Sequence, residues 1–179
     1  SPTRGSHAAY AVTQEGVYYT ADSVSANAVW VNVTGNLRDI AYTIFGETYD
    51  QSTDPNSIKL SQSLNLSAMV VDWRYAIPNS ATDPIGAGVH PVLYVSGNSG
   101  VFRSIDDGVT WTPFPDQSVD GSVANGGLLP RTAATDLDLS LGAIDPNTGM
   151  PNLAGPFDPT SASAADPDLL LASTWGRGM

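Results

Sequence analysis

The 179-residue chain contains no cysteine, so neither a disulfide scaffold nor a thiolate metal site can support it. That absence does not exclude secretion. Lysine occurs once, at Lys59, and 7 basic residues stand against 18 acidic ones, a formal charge of −11. A chain this acidic is repelled by phosphate backbones and by anionic membrane surfaces, so nucleic acid is not an expected partner. No apolar run approaches the roughly 18–20 residues that cross a bilayer, so no membrane insertion is expected. No basic-then-apolar leader opens the sequence. The P-loop, a glycine-rich dinucleotide fingerprint, H-E-x-x-H and G-x-S-x-G are all missing. The two histidines, His7 and His90, stand apart in loop-like sequence, too few ligands for zinc.

What the sequence does have is turns. Glycine (17) and proline (13) are frequent, and they separate short runs rich in β-formers. This is the pattern of an all-β sandwich, barrel or propeller, with enough chain for one domain and its core.

The most informative stretch is 93–111. Leu93-Tyr94-Val95-Ser96 reads as a strand, Gly97-Asn98-Ser99-Gly100 as a tight turn, and Val101-Phe102-Arg103 as the return strand. Ser104-x-Asp106-x-Gly108-x-Thr110-Trp111 follows. Asp106 is expected to close a turn by accepting hydrogen bonds from backbone N–H groups two or three residues on. Gly108 supplies a φ that a side chain would forbid. Ser104 and Thr110 are expected to exchange a hydroxyl hydrogen bond. Trp111 offers an apolar plate to cover the turn.

The pattern S-x-D-x-G-x-T-W resembles the Asp-box, the repeat of sialidases, xyloglucanases, sortilin-type receptors and many secreted bacterial proteins. The resemblance implies a β-propeller, with the box joining the third and fourth strands of a four-stranded antiparallel blade. It also implies a structural role for Asp106 rather than that of an active-site acid.

A second copy lies earlier in the chain. Tyr10, Val12, Gly16, Val17, Tyr18, Thr20 and Asp22 align with Tyr94, Ser96, Gly100, Val101, Phe102, Ser104 and Asp106 at a constant separation of 84 residues. After Asp22 the first copy departs: Ser23 to Val29 replaces the short turn, and Trp30 arrives three residues late. Thr20, Asp22 and Trp30 are therefore read as a degenerate box with a longer turn.

These observations divide the chain into most of one blade (8–34), an insertion (38–65), a complete blade (66–114) and the start of a third (135–179). Trp30–Thr34 is the expected outer strand of the first blade, and Ile40–Phe45 a strand or packed loop. Leu66–Trp73 is the expected fully buried inner strand of the second. Tyr75–His90 is read as a long loop, and Thr112–Phe114 as an outer strand with Pro113 at an edge. Thr135–Asp145 is the next inner strand, with Ile144-Asp145-Pro146 parallel to Val71-Asp72-Trp73. Leu169–Thr174 repeats the Leu93 strand. Such a piece should expose two large apolar faces, to be completed by further chain or by other copies.

Candidate chemistry is sparse. Asp145 and Asn147 open a D-x-N-x-G calcium pattern that lacks the later glutamate, so calcium is a candidate there against a simple β-turn, and no other cofactor is expected. Asp136 and Asp138 share one strand face. Sialidase-like chemistry would require three converging arginines, drawn from Arg4, Arg38, Arg74, Arg103, Arg131 and Arg177. Xyloglucanase-like chemistry would require two facing carboxylates, for which Asp72 and Asp145 qualify by position. Trp73, Tyr75, Trp175 and Phe157 could stack on sugars or anchor loops. The expected function is a non-catalytic structural or interaction module of a secreted or cell-surface bacterial protein. Its expected partners are protein: further blades or other copies, with glycan a further candidate. The alternative is a fragment of a glycan-active hydrolase.

Overall fold

The computed structural model describes residues 7–40, 64–79, 88–115, 132–140 and 169–174. Their strands are β1 (Ala9–Thr13), β2 (Gly16–Thr20), β3 (Val31–Asn32), β4 (Ala68–Pro78), β5 (Val89–Gly97), β6 (Gly100–Ser104), β7 (Thr112–Pro113), β8 (Ala134–Ser140) and β9 (Leu169–Thr174). They pair antiparallel in three sheets: a first sheet β1-β2-β3, a middle sheet β4-β5-β6-β7 and a third sheet β8-β9. The described protein is thus mostly β. No closed barrel or ring is formed among these residues.

Side-chain alternation along each strand sets how the sheets stack. One face of the middle sheet carries Met69, Val71, Leu93, Val95 and Phe102, and it packs against Tyr10, Val12, Val17, Tyr19, Val31 and Val33 of the first sheet. Leu37, Leu64, Leu66 and Trp111 close this core. The opposite face carries Ala68, Val70, Tyr94, Val101 and Phe114, and it packs against Ala134, Leu137, Leu170 and Ala172 of the third sheet. Each large side chain fully buried here contributes about 1.5–3 kcal/mol, and Leu93, Val95, Phe102 and Trp111 are all at most 1% exposed.

The sequence repeat is carried pair for pair into the hairpins. Ala9↔Thr20, Tyr10↔Tyr19, Ala11↔Tyr18, Val12↔Val17 and Thr13↔Gly16 in the first sheet correspond to Leu93↔Ser104, Tyr94↔Arg103, Val95↔Phe102, Ser96↔Val101 and Gly97↔Gly100 in the middle one. The strand that follows each hairpin, β3 in the first sheet and β7 in the middle one, reveals the three-residue insertion in the first copy. Tyr19 faces Val31 where Arg103 faces Thr112, so Trp30 and Trp111 each stand just before that strand. The Val33 N–H donates to the Val17 carbonyl at 2.9 Å, and the Phe114 N–H to the Val101 carbonyl at 2.9 Å. The two sheets therefore use their faces in the same sense: the Tyr10 face of one and the Tyr94 face of the next each pack on the sheet that follows.

Several expectations need correction. The region read as a loop over Tyr75–His90 is strand at both of its ends, since β4 continues to Pro78 and β5 begins at Val89, while residues 80–87 lie outside the described residues. The ladder is interrupted between Asp72 and Ile77, where Val92 and His90 are the successive partners. Pro91, which has no N–H to donate, sits at that interruption, so proline does not end the strand. His90 is accordingly a strand residue, 3% exposed, with Nδ1 3.1 Å from the Pro91 carbonyl. Of the expected fully buried strand Leu66–Trp73, only Leu66 and Asp72 are buried; Ser67 is exposed, and residues 68–71 and Trp73 are half-buried. Residues 37–40 are helical, where a strand or packed loop was expected from Ile40. Residues 41–63, and 141–147 with Asp145 and Asn147, lie outside the described residues.

The ends of the stack also differ from expectation. The first sheet's outer face carries Ala9, Ala11, Tyr18, Thr20 and Asn32, where the equivalent middle-sheet face carries Leu93, Val95, Phe102, Ser104 and Pro113. The third sheet's outer face combines Asp136, Asp138, Ser140 and Ser173 with Leu169 and Leu171, which are 52% and 47% exposed. Neither is broadly apolar, because small and polar residues occupy the positions that larger ones fill in the middle sheet.

The stacking assigns unequal weights to equivalent positions. Phe102→Ala should lower stability by about 3–5 kcal/mol in urea titrations, whereas Tyr18→Ala, its repeat partner on an outer face, should cost about 1 kcal/mol.

Candidate functional site

The box follows directly from β6. Ser104 Oγ donates to Asp106 Oδ1 at 2.9 Å and accepts from the Gly108 N–H at 2.9 Å. Thr110 donates twice to the same carboxylate, from its N–H to Oδ1 at 2.9 Å and from its hydroxyl to Oδ2. The Val109 N–H closes on the Asp106 carbonyl at 3.2 Å. Ser104, Asp106, Gly108 and Thr110 are thus brought together, with two differences from the expected chemistry. The hydroxyls of Ser104 and Thr110 meet through the carboxylate instead of bonding directly. The backbone donor to that carboxylate is four residues on, because two successive left-handed residues, Asp107 (φ 62) and Gly108 (φ 82), widen the turn.

The turn is seated against the end of the first sheet. Trp111 is fully buried; its indole N–H donates to the Val33 carbonyl at 3.3 Å, and its backbone N–H to Asn36 Oδ1 at 2.7 Å. The approach is so close that a Cβ on Gly108 would lie 2.2 Å from the Val33 carbonyl oxygen. One on Gly35, itself at φ 49, would lie 2.2 Å from the Gly108 carbonyl oxygen. Only glycine fits either position.

Asp107 completes the contact. It is fully buried and accepts a hydrogen bond from the Tyr10 hydroxyl at 2.7 Å. The Tyr10 ring packs 4.9 Å from Tyr19 and 5.6 Å from Trp73, centroid to centroid. Burial, then the hydrogen bond and charge of Asp107, hold the Tyr10 hydroxyl far above its ordinary value. Tyr19 is raised in the same sense, by burial and then by Asp107. The arrangement is a neutral donor clamped on a buried acceptor that bridges two sheets. Asp107 was not singled out by sequence reasoning. The doublet Asp106-Asp107 before Gly108 is its only local signal, and its partner Tyr10 is 97 positions away.

The first copy is built differently. Thr20 is 1% exposed, and its hydroxyl accepts from the Asp22 N–H at 3.4 Å. Asp22 accepts from the Val24 N–H at 3.3 Å, only two residues on, and lies 3.3 Å from His7 Nδ1. Ser23 stands where Asp107 stands in the second copy. Trp30 is 44% exposed, against full burial for Trp111, so it does not cover its turn as the alignment suggested.

Among the described residues the other candidates stand apart. Arg103 lies over the Phe114 ring at 5.1 Å, and Arg38 donates to the Glu15 carbonyl at 2.9 Å. Asp72 is 2% exposed within β4, and Trp73 packs on Tyr10. Asp136 and Asp138 are both exposed on β8, and Asp136 accepts from the Leu137 N–H at 2.9 Å. Arg4, Arg131, Arg177, Phe157, Trp175 and the side chains of Arg74 and Tyr75 lie outside the description. Among the described residues no three His, Asp or Glu side chains gather as a metal site. No family model, curated protein or solved structure matches the chain.

The two boxes should respond differently to mutation. Trp111→Ala should lose about 3–5 kcal/mol by urea titration, and Asp106→Ala about 1–2 kcal/mol through its turn hydrogen bonds; Trp30→Ala should stay within about 1 kcal/mol. Because the Tyr10 pKa is raised on folding, its contribution is intact below the ordinary tyrosine value of 10.0 and is lost as pH rises beyond it. Alkaline titration of Tyr10→Phe should therefore show a shallower fall in stability above that pH than the parent chain.

Proposed function

We propose that the chain is a non-catalytic structural or interaction module of a secreted or cell-surface bacterial protein, its three sheets being blades of a partial Asp-box propeller. The observation that carries this reading is the seating of the 104–111 turn on the preceding sheet, together with hairpins that repeat residue for residue at a separation of 84. The two acids of the 104–111 turn take part in that construction. Both oxygens of Asp106 close the turn, and Asp107 holds Tyr10.

In this reading the partners are protein: further blades of the same kind or other copies of the chain, with glycan as a second class of ligand at the rim. The strongly acidic composition favours partners other than polyanions.

The test is direct incubation with sialylated oligosaccharides and with xyloglucan oligosaccharides, with and without added calcium, followed by mass spectrometry of the sugars. Intact sugars are the expected result. Release of a monosaccharide or of shortened chains would replace this reading with that of a glycan-active hydrolase.

A further inference from the structure

The internal interfaces have a direction, and that direction leaves two unlike ends. Within the chain, the Tyr10 face of the first sheet meets the Leu93 face of the middle sheet, and the Tyr94 face of the middle sheet meets the Leu170 face of the third. Among the described residues no further sheet lies on the Ala9 face at one end, where Thr20 alone is fully buried, or on the Leu171 face at the other. Five of the seven large hydrophobic residues exposed among the described residues belong to these terminal sheets and their turns: Val24, Val29 and Trp30 at one end, Leu169 and Leu171 at the other.

We propose that copies of this chain associate head to tail, the outer face of the third sheet in one copy covering the outer face of the first sheet in the next. The proposal rests on the stacked-blade reading above and continues its interface in the same sense. Its chemistry is complementary. Ala9 and Ala11 replace Leu93 and Val95 and so leave room for the long side chains of Leu169 and Leu171. Tyr18 and Asn32 bring hydrogen-bond donors to a face that would meet Asp136 and Asp138. Trp30 stands at the position of Trp111, which is buried only because a neighbouring sheet covers it. The contact joins different patches on the two copies, so it adds further copies until a ring closes or a filament forms.

The experiment is light scattering across a dilution series of the parent chain, of Trp30→Glu and of Leu171→Lys, with circular dichroism to confirm folding. The parent should show a mass above one chain that rises with concentration, and each variant alone the mass of one chain. Because each variant keeps one intact end, their equimolar mixture should give the mass of two chains and grow no further. A parent that remains single at all concentrations, a variant that associates like the parent, or a mixture that stays single would overturn the proposal. Trp111→Ala separates the two failures: if it destabilises while the parent stays single, the stack stands without assembly. If it is silent, the stacked-blade reading itself fails.

Discussion

The structure depends on one close approach, that of the 104–111 turn to the loop ending the first sheet. Backbone meets backbone there, with Gly108 against Val33 and Gly35 against the carbonyl of Gly108. Two fixed donors of Trp111 register the contact on Val33 and Asn36. Once the turn is seated, the indole is dry, the Leu93 face of the middle sheet is covered, and Asp107 comes within reach of Tyr10. The Asp106 carboxylate acts indirectly. It bonds nothing across the interface, but by gathering Ser104 and Thr110 it holds the turn in the shape that the interface accepts.

Acidic side chains are therefore used here for geometry. A carboxylate accepts several hydrogen bonds at once, which suits it to organising a turn whose N–H groups have no ladder partner. Asp107 carries a heavier penalty, because a buried charge is tolerated only with strong hydrogen bonding. The tyrosine above it supplies such a bond at 2.7 Å.

Much of this was legible in the sequence. The spacing of glycine, aromatic and hydroxyl residues located both hairpins, their register and the three-residue delay at Trp30, because tight turns accept few residue types. The chain between them was harder to read. Pro78 and Pro91 hid the length of the β4–β5 hairpin, since proline ordinarily ends pairing and is tolerated here at a strand end and at a ladder interruption. The different fates of Trp30 and Trp111 were illegible too, because burial depends on which sheet lies alongside, and an alignment of one repeat with the next is blind to its neighbours. Asp107 escaped for a related reason: its environment is built by residues nearly a hundred positions away.

That last distance bears on the order of assembly. The β1–β2 and β5–β6 hairpins turn within a few residues, and closing such short loops is fast and local. The bond between Tyr10 and Asp107 must instead bring together two points 97 residues apart, with a long polar segment between them. Chain entropy places contacts of that span late, after the local pairs have formed. The Asp107 carboxyl group therefore leaves water only as the two sheets dock, so the cost of burying it falls on the last step rather than on the hairpins.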